Sequence, residues 1–126
     1  MTAALERLSR LRQSVARLRN EATQLLQVLL GRTPMVRGTV YELRRKCGKP
    51  SCCCATHGQL HPVTVLSVSE AGRTRLRVIP KGQIAALRAL TARAQRFRRA
   101  RARLVNVHAQ MLAVIDQLET ARRKAP

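Results

Sequence analysis

Residues 47 to 61 read Cys-Gly-Lys-Pro-Ser-Cys-Cys-Cys-Ala-Thr-His-Gly-Gln-Leu-His, a stretch that holds all four cysteines of the chain. Two of the three histidines, His57 and His61, lie there too. Zinc takes four ligands in a tetrahedron, usually thiolates and imidazoles. Cys47, Cys52 and Cys54 supply three thiolates within one short loop, with Gly48 and Pro50 suited to the turn between the first two. His61 completes the set, with His57 as the competing fourth ligand and Cys53 as the less favoured thiolate. Disulfides suit this run poorly, because adjacent cysteines pair only with severe strain. Free neighbouring thiols would be an oxidation liability with no packing benefit. The expected cofactor is therefore one Zn2+ per chain.

A hydrolytic zinc site needs an open coordination position and a nearby base. The acids closest to the cluster are Glu42 before it and Glu70 after it. Three thiolates and one imidazole make a closed, electron-rich shell, so the zinc is read as structural and the chain as non-enzymatic. Arg44, Arg45, Lys46 and Lys49 flank the cluster. They favour ionised thiolates and offer a surface to a phosphate backbone.

The string Cys47-Gly48-Lys49-Pro50-x-Cys52-x-Cys54, followed by Gly58-x-x-His61 and Pro62, continues to Gly72-Arg73-Thr74-Arg75 and Val78-Ile79-Pro80. This pattern resembles an uncharacterised group of small prokaryotic proteins often found near transposase, integrase and other mobile-element genes. The resemblance covers about residues 38 to 120, and the cysteine string is its specific part. It implies a zinc-binding accessory protein, with no activity attached. Two positions depart from the group: no glycine separates His61 from Pro62, and Val63, Thr64 and Val65 stand where aromatics are expected.

The elements that must position this loop are legible from periodicity. Across residues 2 to 30, Leu8, Leu11, Val15, Leu18, Ala22, Leu25 and Leu29 follow a three-four spacing, which predicts one apolar helical stripe. Leu5, Leu26 and Leu30 widen it, and Arg7, Arg10, Arg12, Arg17 and Arg19 occupy the other faces. Gly31 and Pro34 end the helix. The stretch from Val36 to Lys46 reads as a strand leading into the cysteines. Val63–Ser69 and Thr74–Ile79 read as two further strands around a turn at Glu70-Ala-Gly-Arg73. Arg73, Arg75 and Arg77 alternate with Thr74, Leu76 and Val78, so the three arginines share one face.

From about Gly82 to Lys124 a single long helix is predicted, with Leu90, Ala94, Phe97, Leu104, Met111, Ile115 and Leu118 on its seam. Arg101 and His108 fall at seam positions in this reading. At the helical rise the two helices run to about 40 Å and about 60 Å. The expected fold is mainly α with a small β insert: an antiparallel, coiled-coil-like pair of long helices carrying a zinc-stapled β-hairpin module between them. The expected organisation is an N-terminal amphipathic helix over 1–31, a zinc-binding β module over 32–80 and a long basic helix over 81–126. The unmatched length of the second helix calls for self-association, most simply a dimer.

Twenty-five Lys and Arg face six Asp and Glu, for a formal charge of +19. The aromatic complement is one Phe and one Tyr. Such an imbalance attracts phosphate. Arg93, Arg96, Arg98, Arg99, Arg101 and Arg103 crowd one segment, and Arg96, Arg99 and Arg103 share a helical face. No glutamate is interleaved with them, so Arg93, Arg96, Arg99 and Arg103 are read as a phosphate-binding stripe, with Arg73, Arg75 and Arg77 as a second basic surface. The scarcity of aromatics disfavours recognition of single strands by stacking. Duplex DNA or structured RNA is the expected partner, with DNA preferred and no small-molecule substrate.

The expected function is that of a nucleic-acid-binding, zinc-containing accessory protein of a recombination, transposition or other nucleoprotein complex. The alternative is a coiled-coil adaptor whose basic face docks an acidic protein, with zinc purely structural. The charged first residues lack the apolar core of a secretory leader. The run Leu25 to Leu30 is too short to span a bilayer, and the helices lack an aromatic-rich apolar face for a membrane surface. A cytoplasmic, nucleoid-associated location is expected.

Overall fold

A computed structural model describes residues 2–46, 48–52, 55 and 57–125. It is mainly helical with one small antiparallel sheet, in the order α1 (Ala3–Leu29), β1 (Thr39–Arg45), β2 (His61–Glu70), β3 (Arg73–Val78), a 3-10 turn (Lys81–Gln83) and α2 (Ile84–Arg122). The chain divides into two compact units. One holds residues 1–32 with 96–126, the other residues 33–95.

In the first unit, α1 begins where Thr2 accepts a hydrogen bond from the Leu5 N–H at 3.3 Å. This side-chain cap satisfies a donor that the helix itself leaves open. Leu8, Leu11, Val15, Leu18, Leu25 and Leu29 are half-buried and Ala22 is buried, as the three-four spacing predicts. The widening positions Leu5, Leu26 and Leu30 are exposed instead.

On the α2 part of this unit the buried residues are Ala100 and Val107, with Phe97, Leu104, Met111, Val114 and Leu118 half-buried. The expected seam is therefore corrected at three positions: Arg101, His108 and Ile115 are exposed. Ala100, Val107 and Val114 take their places. Both registers keep the average spacing of a heptad. Only the observed one avoids burying a guanidinium and an imidazole, each costly to desolvate without a partner.

In the second unit the sheet has the order β1-β2-β3. Val40, Leu66 and Arg77 lie opposite one another across the three strands, as do Tyr41, Val65 and Val78. Strand alternation then separates two faces. Leu66, with Val40 and Val68, packs on Leu87, Ile84 and Leu90 of α2, and Ile79 and Val36 close this core. The Val36 N–H donates to the Leu90 carbonyl at 3.2 Å, pinning the segment before β1 to the helix. β2 and β3 join through Ala71 and Gly72, both at positive φ (50° and 77°). That is the signature of a two-residue hairpin turn whose twist matches the strands. Among the described residues no helix is long and apolar enough to cross a membrane.

Candidate metal centre and basic surfaces

The cysteine loop is the connection between β1 and β2. Arg45, the last residue of β1, lies opposite His61, the first of β2, so strand pairing holds the two ends of the loop together. Within the loop the Cys52 N–H donates to the Lys49 carbonyl, and the Ala55 N–H to the Cys52 carbonyl, both at 3.1 Å. The first of these bonds closes the turn that leads into Cys52. Its Sγ lies 2.9 Å from His61 Nε2, and both residues are half-buried. Two of the four nominated ligands therefore meet at their ligating atoms. His57, the competitor, is exposed. The other two nominated ligands, Cys47 and Cys54, lie outside the described residues, as does Cys53. Among the described residues no three His, Cys, Asp or Glu side chains form a metal-holding group.

The donor chemistry fits zinc. A thiolate and an imidazole on one tetrahedral Zn2+ stand about 3.6 Å apart, given bond lengths of about 2.3 and 2.0–2.1 Å. The observed separation of 2.9 Å is shorter than that standard by about 0.7 Å. Without metal, the same atoms make a thiol–imidazole hydrogen bond. Arg44, Arg45, Lys46 and Lys49 around the loop are all exposed, and none makes an ion pair among the described residues.

The acids of the chain compensate little of its charge. Three of the six acids are ion-paired among the described residues: Glu21 with Arg103, Glu70 with Arg75 and Glu119 with Arg123. The first is bidentate, Arg103 Nε to Glu21 Oε1 at 2.5 Å and Nη2 to Oε2 at 3.0 Å. The Arg103 hydrogen bonds, helped by its charge, hold the Glu21 carboxyl below the ordinary glutamate range, and the same contacts raise Arg103. Between Arg93 and Arg103 there is indeed no interleaved acid, but Glu21 reaches Arg103 from α1. Spacing along one helix gives no sign of that contact.

Arg96, Arg98, Arg99 and Arg101 are exposed and make no ion pair among the described residues. Arg93 is half-buried and donates to the Pro34 carbonyl at 3.4 Å. Arg73, Arg75 and Arg77 are exposed and share a face, as the alternation predicts. That face is the one carrying Leu66 and Val68, the side of the sheet that packs on α2. The sequence pattern shows the sharing but not which side is shared.

The protein is mainly helical with one small antiparallel sheet, and the loop between β1 and β2 brings Cys52 beside His61. Residues 3–89 match the family described as a domain of unknown function (DUF6788), and the chain belongs to that family. No curated protein and no solved structure matches the chain.

Proposed function

We propose that this protein is a non-enzymatic, zinc-stapled nucleic-acid-binding accessory factor, with duplex DNA as the preferred ligand. The supporting observation is the run Arg96, Arg98, Arg99 and Arg101, exposed and without an acid partner among the described residues, in a chain of charge +19. An ordinary solvated helix face interleaves acids with its cations and gains from the pairs. This one keeps its guanidinium groups open, and their planar forks suit phosphate oxygens.

Arg44 and Arg45 at the end of β1, with Lys46 and Lys49 in the loop that follows, add exposed cations on both sides of the cysteines' entry strand, and Arg73, Arg75 and Arg77 add to the field. Arg103 contributes less to phosphate binding than its position in the stripe implies, because Glu21 occupies both edges of its fork. Cys47, Cys52, Cys54 and His61 would hold the zinc. Bound there, it would supply a structural link between the loop and the start of β2, where His61 stands. The buried core of that unit is small, with Leu66, Ile79 and Leu87 at its centre, and a metal is a common supplement to a core of that size.

Helix α1 pairs antiparallel with α2 in this account. Glu21 meets Arg103, while the earlier Ser14 and Leu18 share a groove with the later Gln110 and Val114. Exposed Val105, Leu112 and Ile115 support self-association through this unit. Replacing Arg96 and Arg99 by Ala, with Glu21 and Arg103 intact, weakens binding to duplex DNA while leaving the fold unchanged. Equal affinity of this variant and the parent chain overturns the assignment of the stripe.

A further inference from the structure

The β3 strand lies at the edge of the sheet, and all six of its residues are exposed. The hydrogen-bond phase of the ladder says which backbone groups face outward. The Ile79 N–H donates to the Thr64 carbonyl at 2.9 Å, just beyond the Val65–Val78 pair. In an antiparallel ladder bonded and non-bonded pairs alternate. Arg77, Arg75 and Arg73 therefore bond across to Leu66, Val68 and Glu70. The N–H and C=O groups of Thr74, Leu76 and Val78 point away from β2 into solvent. The positive-φ turn at Ala71-Gly72 requires the same phase, since Glu70 and Arg73 close it as a bonded pair.

The side chains along this open edge alternate in character. Arg73, Arg75 and Arg77 stand on the α2 side, and Arg75 and Arg77 border a groove of about 490 Å³ floored by Val36, Leu66, Val68 and Leu87. Leu76 and Val78 stand on the other side and remain 52% and 44% exposed. Edge arginines discourage pairing of β3 with a copy of itself, because every in-phase antiparallel register sets arginine against arginine. The same alternation selects a strand of opposite pattern. An open row of alternating N–H and C=O groups also needs a partner that both accepts and donates, which another strand does and a phosphate backbone does not.

We propose that the β3 edge takes an extended segment of a partner protein in which acidic and apolar residues alternate. Its acids lie beside Arg73, Arg75 and Arg77, and its apolar side chains lie beside Thr74, Leu76 and Val78. This surface is separate from the α2 stripe and stands whether or not the chain binds nucleic acid.

The test uses the full chain and a capped peptide of alternating glutamate and valine, about eight residues long, followed by fluorescence anisotropy and amide hydrogen exchange. Controls are a lysine–valine peptide of the same length and a glutamate–valine peptide with the alternation scrambled. The alternating acidic peptide binds, and both controls bind at least about tenfold more weakly. Exchange slows at Thr74, Leu76 and Val78, and changes little at Arg73, Arg75 and Arg77, whose amides are already bonded. Leu76→Pro, which removes an outward N–H together with the Leu76 side chain, weakens binding by about tenfold or more. The double charge reversal Arg75→Glu, Arg77→Glu switches preference to the lysine peptide, and tests the idea even where the proline variant fails to fold. Equal binding of all three peptides, protection absent from Thr74, Leu76 and Val78, or a β3-paired dimer of the chain overturns the proposal.

Discussion

Cys52→Ser separates the two accounts of the 2.9 Å contact between Cys52 Sγ and His61 Nε2. Serine keeps a hydroxyl donor at nearly the same place but does not replace a zinc thiolate. If the contact is only a hydrogen bond, the substitution changes stability by no more than about 1 kcal/mol, and metal is irrelevant. If the two atoms are zinc ligands, one of four thiolate or imidazole bonds is lost. Structural zinc sites carry apparent binding free energies of about 10–16 kcal/mol, so one ligand accounts for about 2.5–4 kcal/mol if the four share it evenly. Zinc affinity then falls by about 10²- to 10³-fold.

The assay is competition for zinc against a chromophoric chelator of known affinity, beside metal analysis of protein purified without added zinc. The account predicts one zinc per chain, a large loss of affinity for Cys52→Ser and a comparable loss for His61→Gln. His57→Gln leaves affinity unchanged. Protein that is folded and metal-free as purified, or a Cys52→Ser variant that holds zinc as tightly as the parent chain, refutes the site.

Two further predictions concern the helical unit. Val107 is 0% exposed and His108 is exposed. Val107→Ala removes two methylene equivalents and leaves a void, partly offset by better helix propensity. It costs about 2 kcal/mol, or about 8 °C in Tm, whereas His108→Ala stays within about 0.5 kcal/mol; the reverse order in thermal melts returns the seam to His108. The Glu21 carboxyl is held below its unfolded value chiefly by the Arg103 hydrogen bonds. Its contribution is therefore complete above the unfolded carboxyl pKa and is lost as pH falls through the lower folded one. Denaturant titrations from about pH 6 down to about pH 3 should show the parent chain losing more stability than Glu21→Gln; parallel losses contradict the pairing.

Much of the fold was legible in the residue pattern, because the strongest signals were local. The three-four spacing of α1 located the stripe from Leu8 to Leu29, and the Glu70-Ala-Gly-Arg73 turn located the β2–β3 hairpin. What escaped depends on contacts between distant segments. Arg101 and Ala100 fit a heptad equally well by position, and the cost of desolvating a guanidinium decides between them. The partner of Arg103 lies on α1, so no reading of α2 on its own could find Glu21. The alternation of Arg73, Arg75 and Arg77 sets them on one face, but which side that is depends on the packing of Leu66 and Val68 with Leu87. The nomination of Cys52 and His61 rested on ligand chemistry and loop length. Their approach depends on the pairing of Arg45 with His61 that closes the loop.

The central claim is that the open arginines of α2 bind a polyanion, and a salt series tests it most directly. Affinity is measured for duplex DNA, single-stranded DNA and structured RNA at several salt concentrations, with the Arg96→Ala, Arg99→Ala variant alongside. If α2 and the cysteine loop together neutralise about six phosphates, log affinity falls against log salt with a slope of about −5 on duplex DNA. Removing two of the arginines makes that slope shallower by about 2, and single strands bind more weakly than duplex. Weak binding that ignores nucleic-acid form and is unchanged in the variant contradicts the account, and makes the positive charge of this chain incidental to nucleic acid.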